Sequence, residues 1–257
     1  MRNYTAPLLI TGSPRSGTSA LAATLLRMSP AVAISHEWGS FLARPCDRMR
    51  RLCDVAPEFF VNHPLRATSC GATGFMEYLR QTSRTPQQIH TTAYGSSTVY
   101  GDKFPSSYLA QGMQTLLDYP SARFIVTLRD GRDVIASQLR TNKAVAAASR
   151  AHWAQHDSVS RAQELWLQCM RSWETLKPQL TSDQYMELRY EEAVADPLVK
   201  LHEVAVFAGI SVDDAELKIA VRGYKPTHVG AWRTEQPDIM LELGAPFREM
   251  LQKWNYL

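Results

Sequence analysis

A chain of 257 residues, 45% hydrophobic and 21% charged, can bury a sizeable core and has the composition of an ordinary globular protein rather than a disordered or fibrous one. Its 28 basic and 25 acidic residues leave a net charge of +3, too mild a balance to point to nucleic acid, and no apolar stretch approaches the roughly 18 residues of a membrane span. Cys46, Cys53, Cys70 and Cys169 form no CxxC pair, and Met1-Arg2-Asn3-Tyr4 leads into a strand-like segment with no signal-peptide core, so a cytoplasmic protein with reduced thiols is expected.

The first strand is predicted over Pro7–Thr11. It runs into Gly12-Ser13-Pro14-Arg15-Ser16-Gly17-Thr18-Ser19, and a helix over Gly17–Arg27 follows at once. Successive backbone N–H groups in such a loop, joined by a helix N-terminus, form a concave anion site. Thr18 and Ser19 add hydroxyl donors on the first turn. Gly12 and Gly17 have the separation of the Walker A loop GxxxxGK[ST], which brings a P-loop NTPase into view. The lysine position holds Thr18, however, and the cation stands inside the loop as Arg15. A nucleotide kinase needs that lysine for the β- and γ-phosphates and an acid to hold magnesium. A strand-to-helix turn with no ligand is the plainer alternative, but it would not need Arg15, two hydroxyls and two glycines together.

A second strand is expected over Ala31–Ser35, with Ser35-His36-Glu37-Trp38 at its carboxyl end. Residues 38–97 are less regular and read either as a lid or acceptor-binding excursion or as a poorly patterned helical pair. The third strand, Thr98–Lys103, ends in Gly101-Asp102-Lys103-Phe104-Pro105, with a helix over Ser106–Leu117 beyond it. The fourth, Arg123–Arg129, ends in an arginine where an ATPase would place its magnesium-binding acid. In the helix Arg132–Leu139 that follows, Ser137 falls about two turns in. An arginine fork plus a hydroxyl is a good receptor for a terminal phosphate, although a lone Ser137 would read as solvent-facing, and Arg132 and Asp133 read as the polar first turn. A long helical run, Val145–Leu176, supplies lid elements over 141–176. A fifth strand covers Gln184–Tyr190. Asp196 as N-cap, Pro197 at the first helical position and Gly209 as a stop mark another helix. After Lys225-Pro226-Thr227-His228-Val229-Gly230-Ala231-Trp232-Arg233, a last helix over Ala245–Trp254 closes a single domain over 1–257. Strands alternating with helices predict an α/β fold of three layers, P-loop-like, with a central parallel sheet flanked by helices. Ligands of such sheets gather at the carboxyl ends of the strands, so Arg15, Lys103 and Arg129 should converge.

The Pro14–Ser19 loop resembles the 5′-phosphosulfate loop of the sulfotransferases, in particular the branch carrying PRSGT, which includes many bacterial enzymes and the tyrosylprotein sulfotransferases. The resemblance implies a donor, 3′-phosphoadenosine-5′-phosphosulfate, with Arg15, Ser16, Gly17, Thr18 and Ser19 on its 5′-phosphosulfate and Arg129 with Ser137 on its 3′-phosphate. Met186-Glu187-Leu188-Arg189-Tyr190-Glu191-Glu192 is similar to the family's strand ending in RYE, where Tyr190 approaches the nucleotide; core packing is its alternative. Lys225–Arg233 resembles the family's glycine-x-tryptophan-basic loop, which implies Lys225, Gly230, Trp232 and Arg233 near the donor, although the Arg-Lys-Gly triplet of other members is Lys225-Pro226-Thr227 here. Trp232 would stack on or cap the purine, or pack as core.

For the chemistry, Arg15 would neutralise the leaving phosphate. Lys103 resembles the family's transition-state lysine, a surface lysine being its alternative. Glu37 stands to Pro30 as the catalytic glutamate of the tyrosylprotein branch stands to its proline, and His36 is its rival as base. No metal is implied. Sulfuryl transfer to a hydroxyl of a small-molecule acceptor is therefore expected, from a monomer or homodimer. A P-loop nucleotide kinase, or a non-catalytic nucleotide-binding module of the same fold, are the alternatives.

Overall fold

The computed structural model describes residues 6–36, 97–147, 158–221, 224 and 228–257, with residues 36 and 142–147 described by their backbone alone. Five strands form one sheet: β1 (Leu8–Gly12), β2 (Val32–His36), β3 (Val99–Lys103), β4 (Arg123–Leu128) and β5 (Tyr185–Arg189). They lie in the order β2-β3-β1-β4-β5, and every neighbouring pair is parallel. The apolar run of β1 is unbroken because both faces of a parallel sheet are covered, so alternate residues serve opposite cores. Leu8 and Ile10, with Ile125 and Leu188, join a cluster under α1 (Thr18–Met28) that includes Leu21 and Leu25. Leu9, with Phe124, Val126 and Leu128, faces the other side. The result is the three-layer arrangement expected from the alternation of strands and helices.

On that second side the short helices α2 (Ser107–Ala110) and α3 (Gly112–Asp118) lead to β4, and α4 (Gly131–Ala147) follows it. Next comes α5 (Val159–Leu176), whose Ser158 N-cap accepts a hydrogen bond from the N–H of Arg161. Of the stretch 141–176, α5 turns Trp166, Cys169, Met170, Trp173 and Leu176 into the core. Full burial of each large apolar side chain contributes roughly 1.5–3 kcal/mol. The excursion expected over 38–97 lies, except for Ser97, outside the described residues.

Three expected elements differ substantially in their bounds. The helix expected over Arg132–Leu139 covers Gly131–Ala147. The single helix over Ser106–Leu117 is broken at Gln111 into α2 and α3. A Cβ on Gly112 would meet Leu176 Cδ2 at 2.4 Å, so α3 starts where α5 presses closest. The run Val145–Leu176 is also not one helix, since Ser158, with an extended backbone, caps the start of α5 at Val159.

Beyond β5 the chain forms α6 (Tyr190–Ala195), α7 (Pro197–Ala208) and α8 (Asp214–Ala220). In α7 the punctuation is as read: Asp196 accepts from the N–H of Val199, and Gly209 closes the helix at φ 74°. Short α9 (Trp232–Glu235) and α10 (Ile239–Glu242) precede α11 (Ala245–Lys253), which buries Phe247 and Leu251 beside Trp166. At the centre of the sheet β1 and β3 approach so closely that a Cβ on Gly101 would lie 1.8 Å from the Leu8 carbonyl oxygen. No helix among the described residues is long and apolar enough to cross a membrane.

Candidate active site

The site grows from the carboxyl ends of β1, β3 and β4. After β1 the chain turns through Ser13–Gly17 and enters α1 without a side-chain cap at Gly17. The leading N–H groups of a helix have no intrahelical acceptor, so an uncapped start beside a loop is an anion receptor in waiting. Ser16 is buried. Its Oγ lies 2.6 Å from the Ser13 carbonyl oxygen and 2.6 Å from Thr127 Oγ1, so its hydroxyl braces the loop against β4. Thr18 is buried and Ser19 exposed on the first turn of α1.

Arg15, at the tip of the loop, holds a left-handed backbone at φ 72°. Its Nε donates to Ser137 Oγ at 3.1 Å. Arg129, where β4 ends, donates from Nη1 to the Arg15 carbonyl oxygen at 2.9 Å and from Nη2 to the His228 carbonyl oxygen. Two segments distant in sequence thus meet at one place, as the sequence reading required. Partial burial, and then the neighbouring charges of Arg140 and Arg129, hold the Arg15 guanidinium below its usual pKa. A guanidinium depressed by burial and by neighbouring cations marks a locus where an anion is favoured. Arg129 is only 5% exposed, and among the described residues its buried Nε has no hydrogen-bond partner. An orphaned guanidinium donor fits an oxyanion that would complete it.

Tyr190 opens α6 beneath this locus. Its ring lies 4.5 Å from the Arg129 guanidinium carbon and is the surface a Cβ on Gly17 would strike at 2.7 Å. Burial, ahead of the opposing Arg129 charge, pushes its phenol above the ordinary value.

Lys103 is fully buried at the end of β3, in register with Ile10 of β1 and His36 of β2. The chain then passes over the end of β1, with the N–H of Ser106 donating to the Gly12 carbonyl oxygen at 2.7 Å. Beside Lys103, Asp102 accepts from Ser35 Oγ at 2.7 Å and from Tyr108 Oη at 2.8 Å, which fixes this strand end. His36 closes β2 next to Lys103, with its backbone alone described, while Glu37 and Lys225 lie outside the described residues.

Gly230, Trp232 and Arg233 are brought to the same end of the sheet. Trp232 belongs to the main hydrophobic cluster and carries the guanidinium groups of Arg132 and Arg233 at 4.5 and 4.7 Å from its ring. Arg132 and Asp133 lie in the first turn of α4, as read. Both are buried: Arg132 grips the Asp130 carboxylate with Nε and Nη2, at 2.9 and 2.7 Å, and Asp133 accepts from the N–H groups of Gly230 and Trp232. Arg140, one turn beyond Ser137, ion-pairs with Glu235 of α9. Nothing in the sequence singled out Asp133 beyond the helix's first turn, or Arg140 at all. Helical spacing placed each beside Arg129 or Ser137, but nothing local announced the segment they hold.

A parallel sheet whose central strand feeds an anion loop, with an arginine closing the neighbouring strand, defines a nucleotide-binding transferase fold of the P-loop type. Within that class the chain belongs to the sulfotransferase family, which its residues 7–214 match. Among solved structures, the sulfotransferase domain of the curacin biosynthetic pathway is 14% identical, with a TM-score of 0.63 over 98% of each chain. The sulfotransferase domain of the Synechococcus PCC 7002 olefin synthase is 18% identical, with a TM-score of 0.56 over 99% of this chain and 90% of that one. A sulfotransferase from Mycobacterium tuberculosis is 18% identical, with a TM-score of 0.50 over 90% of this chain and 76% of that one. At such identities the likeness is one of fold. No curated protein sequence matches the chain.

Proposed function

We propose that this sulfotransferase uses 3′-phosphoadenosine-5′-phosphosulfate as donor and passes its sulfuryl group to a hydroxyl of a small-molecule acceptor. The observation that carries the donor assignment is the junction of Arg15, Ser137 and Arg129, where an orphaned guanidinium nitrogen and a hydroxyl stand beside the phosphate loop. A 3′-phosphate is the part of this donor that ATP lacks, and Arg129 with Ser137 forms a receptor suited to it. Arg15, the N–H groups of Gly17, Thr18 and Ser19 and the hydroxyls of the last two would hold the 5′-phosphosulfate, with Ser16 bracing the loop from below. Tyr190, Lys225, Gly230, Trp232 and Arg233 would border the nucleotide.

The donor supplies a sulfur made electrophilic by its phosphate leaving group. Glu37, with His36 as its rival, takes the proton from the acceptor hydroxyl as the new oxygen–sulfur bond forms. The sulfur–oxygen bond to the phosphate breaks, and the electron pair stays on the phosphate. Lys103 and Arg15 stabilise the charge that gathers there. Lys103, enclosed at the strand end, acts in a low-dielectric setting where a fixed cation has its greatest effect. The mild net charge of +3 fits a small acceptor better than a polyanionic one.

The test is titration calorimetry with 3′,5′-adenosine bisphosphate, AMP and magnesium-ATP, followed by transfer assays on a panel of hydroxylated acceptors. Binding that needs the 3′-phosphate, ignores magnesium and falls by about a hundredfold in Arg129→Ala is expected, the loss of a charge-assisted pair with phosphate. Tight binding of magnesium-ATP without regard to the 3′-phosphate would instead make the protein a nucleotide kinase. Bisphosphate binding without transfer from the labelled donor to any acceptor would make it a nucleotide-binding module.

A further inference from the structure

Asp133 lies on the first turn of α4 with its side chain 1% exposed. Its Oδ2 accepts the N–H of Gly230 at 2.7 Å, and its Oδ1 accepts the N–H of Trp232 at 3.0 Å. The same Oδ2 lies 3.9 Å from Arg129 Nη2, the nitrogen that donates to the His228 carbonyl oxygen. Arg129 thus holds a carbonyl of the segment 228–232, and Asp133 holds its N–H groups. Two turns further along α4, Arg140 pairs with Glu235 at the far end of α9. Gly230 takes a left-handed backbone at φ 70°, which turns the chain over the carboxylate.

A buried carboxylate this close to an anion-binding arginine repels the anion it is meant to receive. Its presence is explained if it builds something the site needs more than it needs the extra positive potential. We propose that Asp133 is a positioning residue for donor binding, which locks the 228–232 segment to the Arg129–Ser137 phosphate site so that cation and segment form one rigid receptor. This rests on the donor reading above for the identity of the anion, whereas the locking of the segment stands independently of it.

The two physical effects have opposite signs, which makes the proposal decidable. Asp133→Asn keeps the side chain's shape, but its Nδ2 cannot accept, so either the Gly230 or the Trp232 amide is left facing a donor. Electrostatics alone predicts that this variant binds 3′,5′-adenosine bisphosphate more tightly. Locking predicts binding weaker by about tenfold or more, since a buried charge-assisted bond is lost. Donor KM should rise with it, while kcat at saturating donor and acceptor KM stay within about threefold, the signature of an interaction made equally in ground and transition states. Hydrogen exchange on the ligand-free protein should show the amides of Gly230 and Trp232 exchanging faster in Asp133→Asn than in the wild type. Unchanged or tighter bisphosphate affinity would overturn the proposal, whether or not the exchange rates move, and so would unchanged exchange of both amides. Should the wild type itself fail to bind the bisphosphate, the donor reading falls, and the exchange experiment alone then decides whether Asp133 locks the segment.

Discussion

Arg15 sits in a left-handed backbone conformation that costs an ordinary residue about 1 kcal/mol or more. The fold holds it there through its carbonyl, which accepts from Arg129, and through its Nε, which donates to Ser137. From this conformation the guanidinium reaches across the loop to Ser137 of α4. Gly17, two residues on, has φ 101° and the ring of Tyr190 where its Cβ would be. Gly17→Ala should lower stability by roughly 1–3 kcal/mol, read as a fall in the thermal unfolding midpoint. Adding Tyr190→Ala relieves the collision but not the backbone strain, so the double variant should recover none of the remaining φ penalty. The motif letters made this loop legible as a glycine-bounded turn between β1 and α1. The role of Ser16 was not legible, because its partner Thr127 belongs to a strand brought alongside only by folding.

At the scale of elements, α1 carries the loop and is itself held from behind by α8, with Thr24 Oγ1 donating to the Ala220 carbonyl oxygen. Helix α8 begins with a capping box: Asp213 accepts from the N–H of Glu216, and Glu216 accepts from the N–H of Asp213. Asp213→Ala should therefore destabilise by about 1 kcal/mol, a shift of about 2–4 °C in the unfolding midpoint for a chain of this size. Bisphosphate affinity should be unchanged, since neither Asp213 nor Glu216 is among the residues proposed to hold the donor. An acid three residues ahead of Glu216 is a sequence signature of helix initiation that the chain-order reading passed over. The break between α2 and α3 has no comparable signature, because Leu176, which a Cβ on Gly112 would strike, lies far along the chain at the end of α5.

Over the whole molecule the carboxyl-terminal segment is stitched to the site from behind. Arg132 donates to the Tyr256 carbonyl oxygen, Arg189 to that of Trp254, and Trp254 Nε1 to Glu174. Beside this seam Glu191 accepts the N–H of Asp130 with Oε1, while its buried Oε2 has no partner among the described residues. Burial raises its pKa above the ordinary carboxyl value, the dominant influence over the amide bond that opposes it. A carboxyl raised in the folded state stabilises the fold fully below its unfolded-state pKa, and this contribution is lost as pH rises through the folded value. Glu191→Gln keeps the acceptor for the Asp130 amide and removes the titration. Its unfolding midpoint should gain on the wild type as pH rises from the carboxylate range toward neutrality, in parallel thermal melts at constant ionic strength. A gap that does not vary with pH would show that Glu191 titrates alike in the folded and unfolded chain.

The order of strands and helices, the loop after β1, the arginine closing β4 and the caps of α7 were all determined by local sequence. Strand and helix periodicity, glycine and proline placement and N-cap chemistry act within a few residues of the chain, so a reader of the chain can see them. Tertiary structure alone decided that Arg132 and Asp133 of the polar first turn are buried. It also decided that Ser16 is a brace, that Arg140 is held by Glu235, and that Trp232 lies in the core with two guanidinium groups over its ring. In each case at least one partner comes from an element far along the chain. A buried charge can be tolerated only once such a partner has been brought to it.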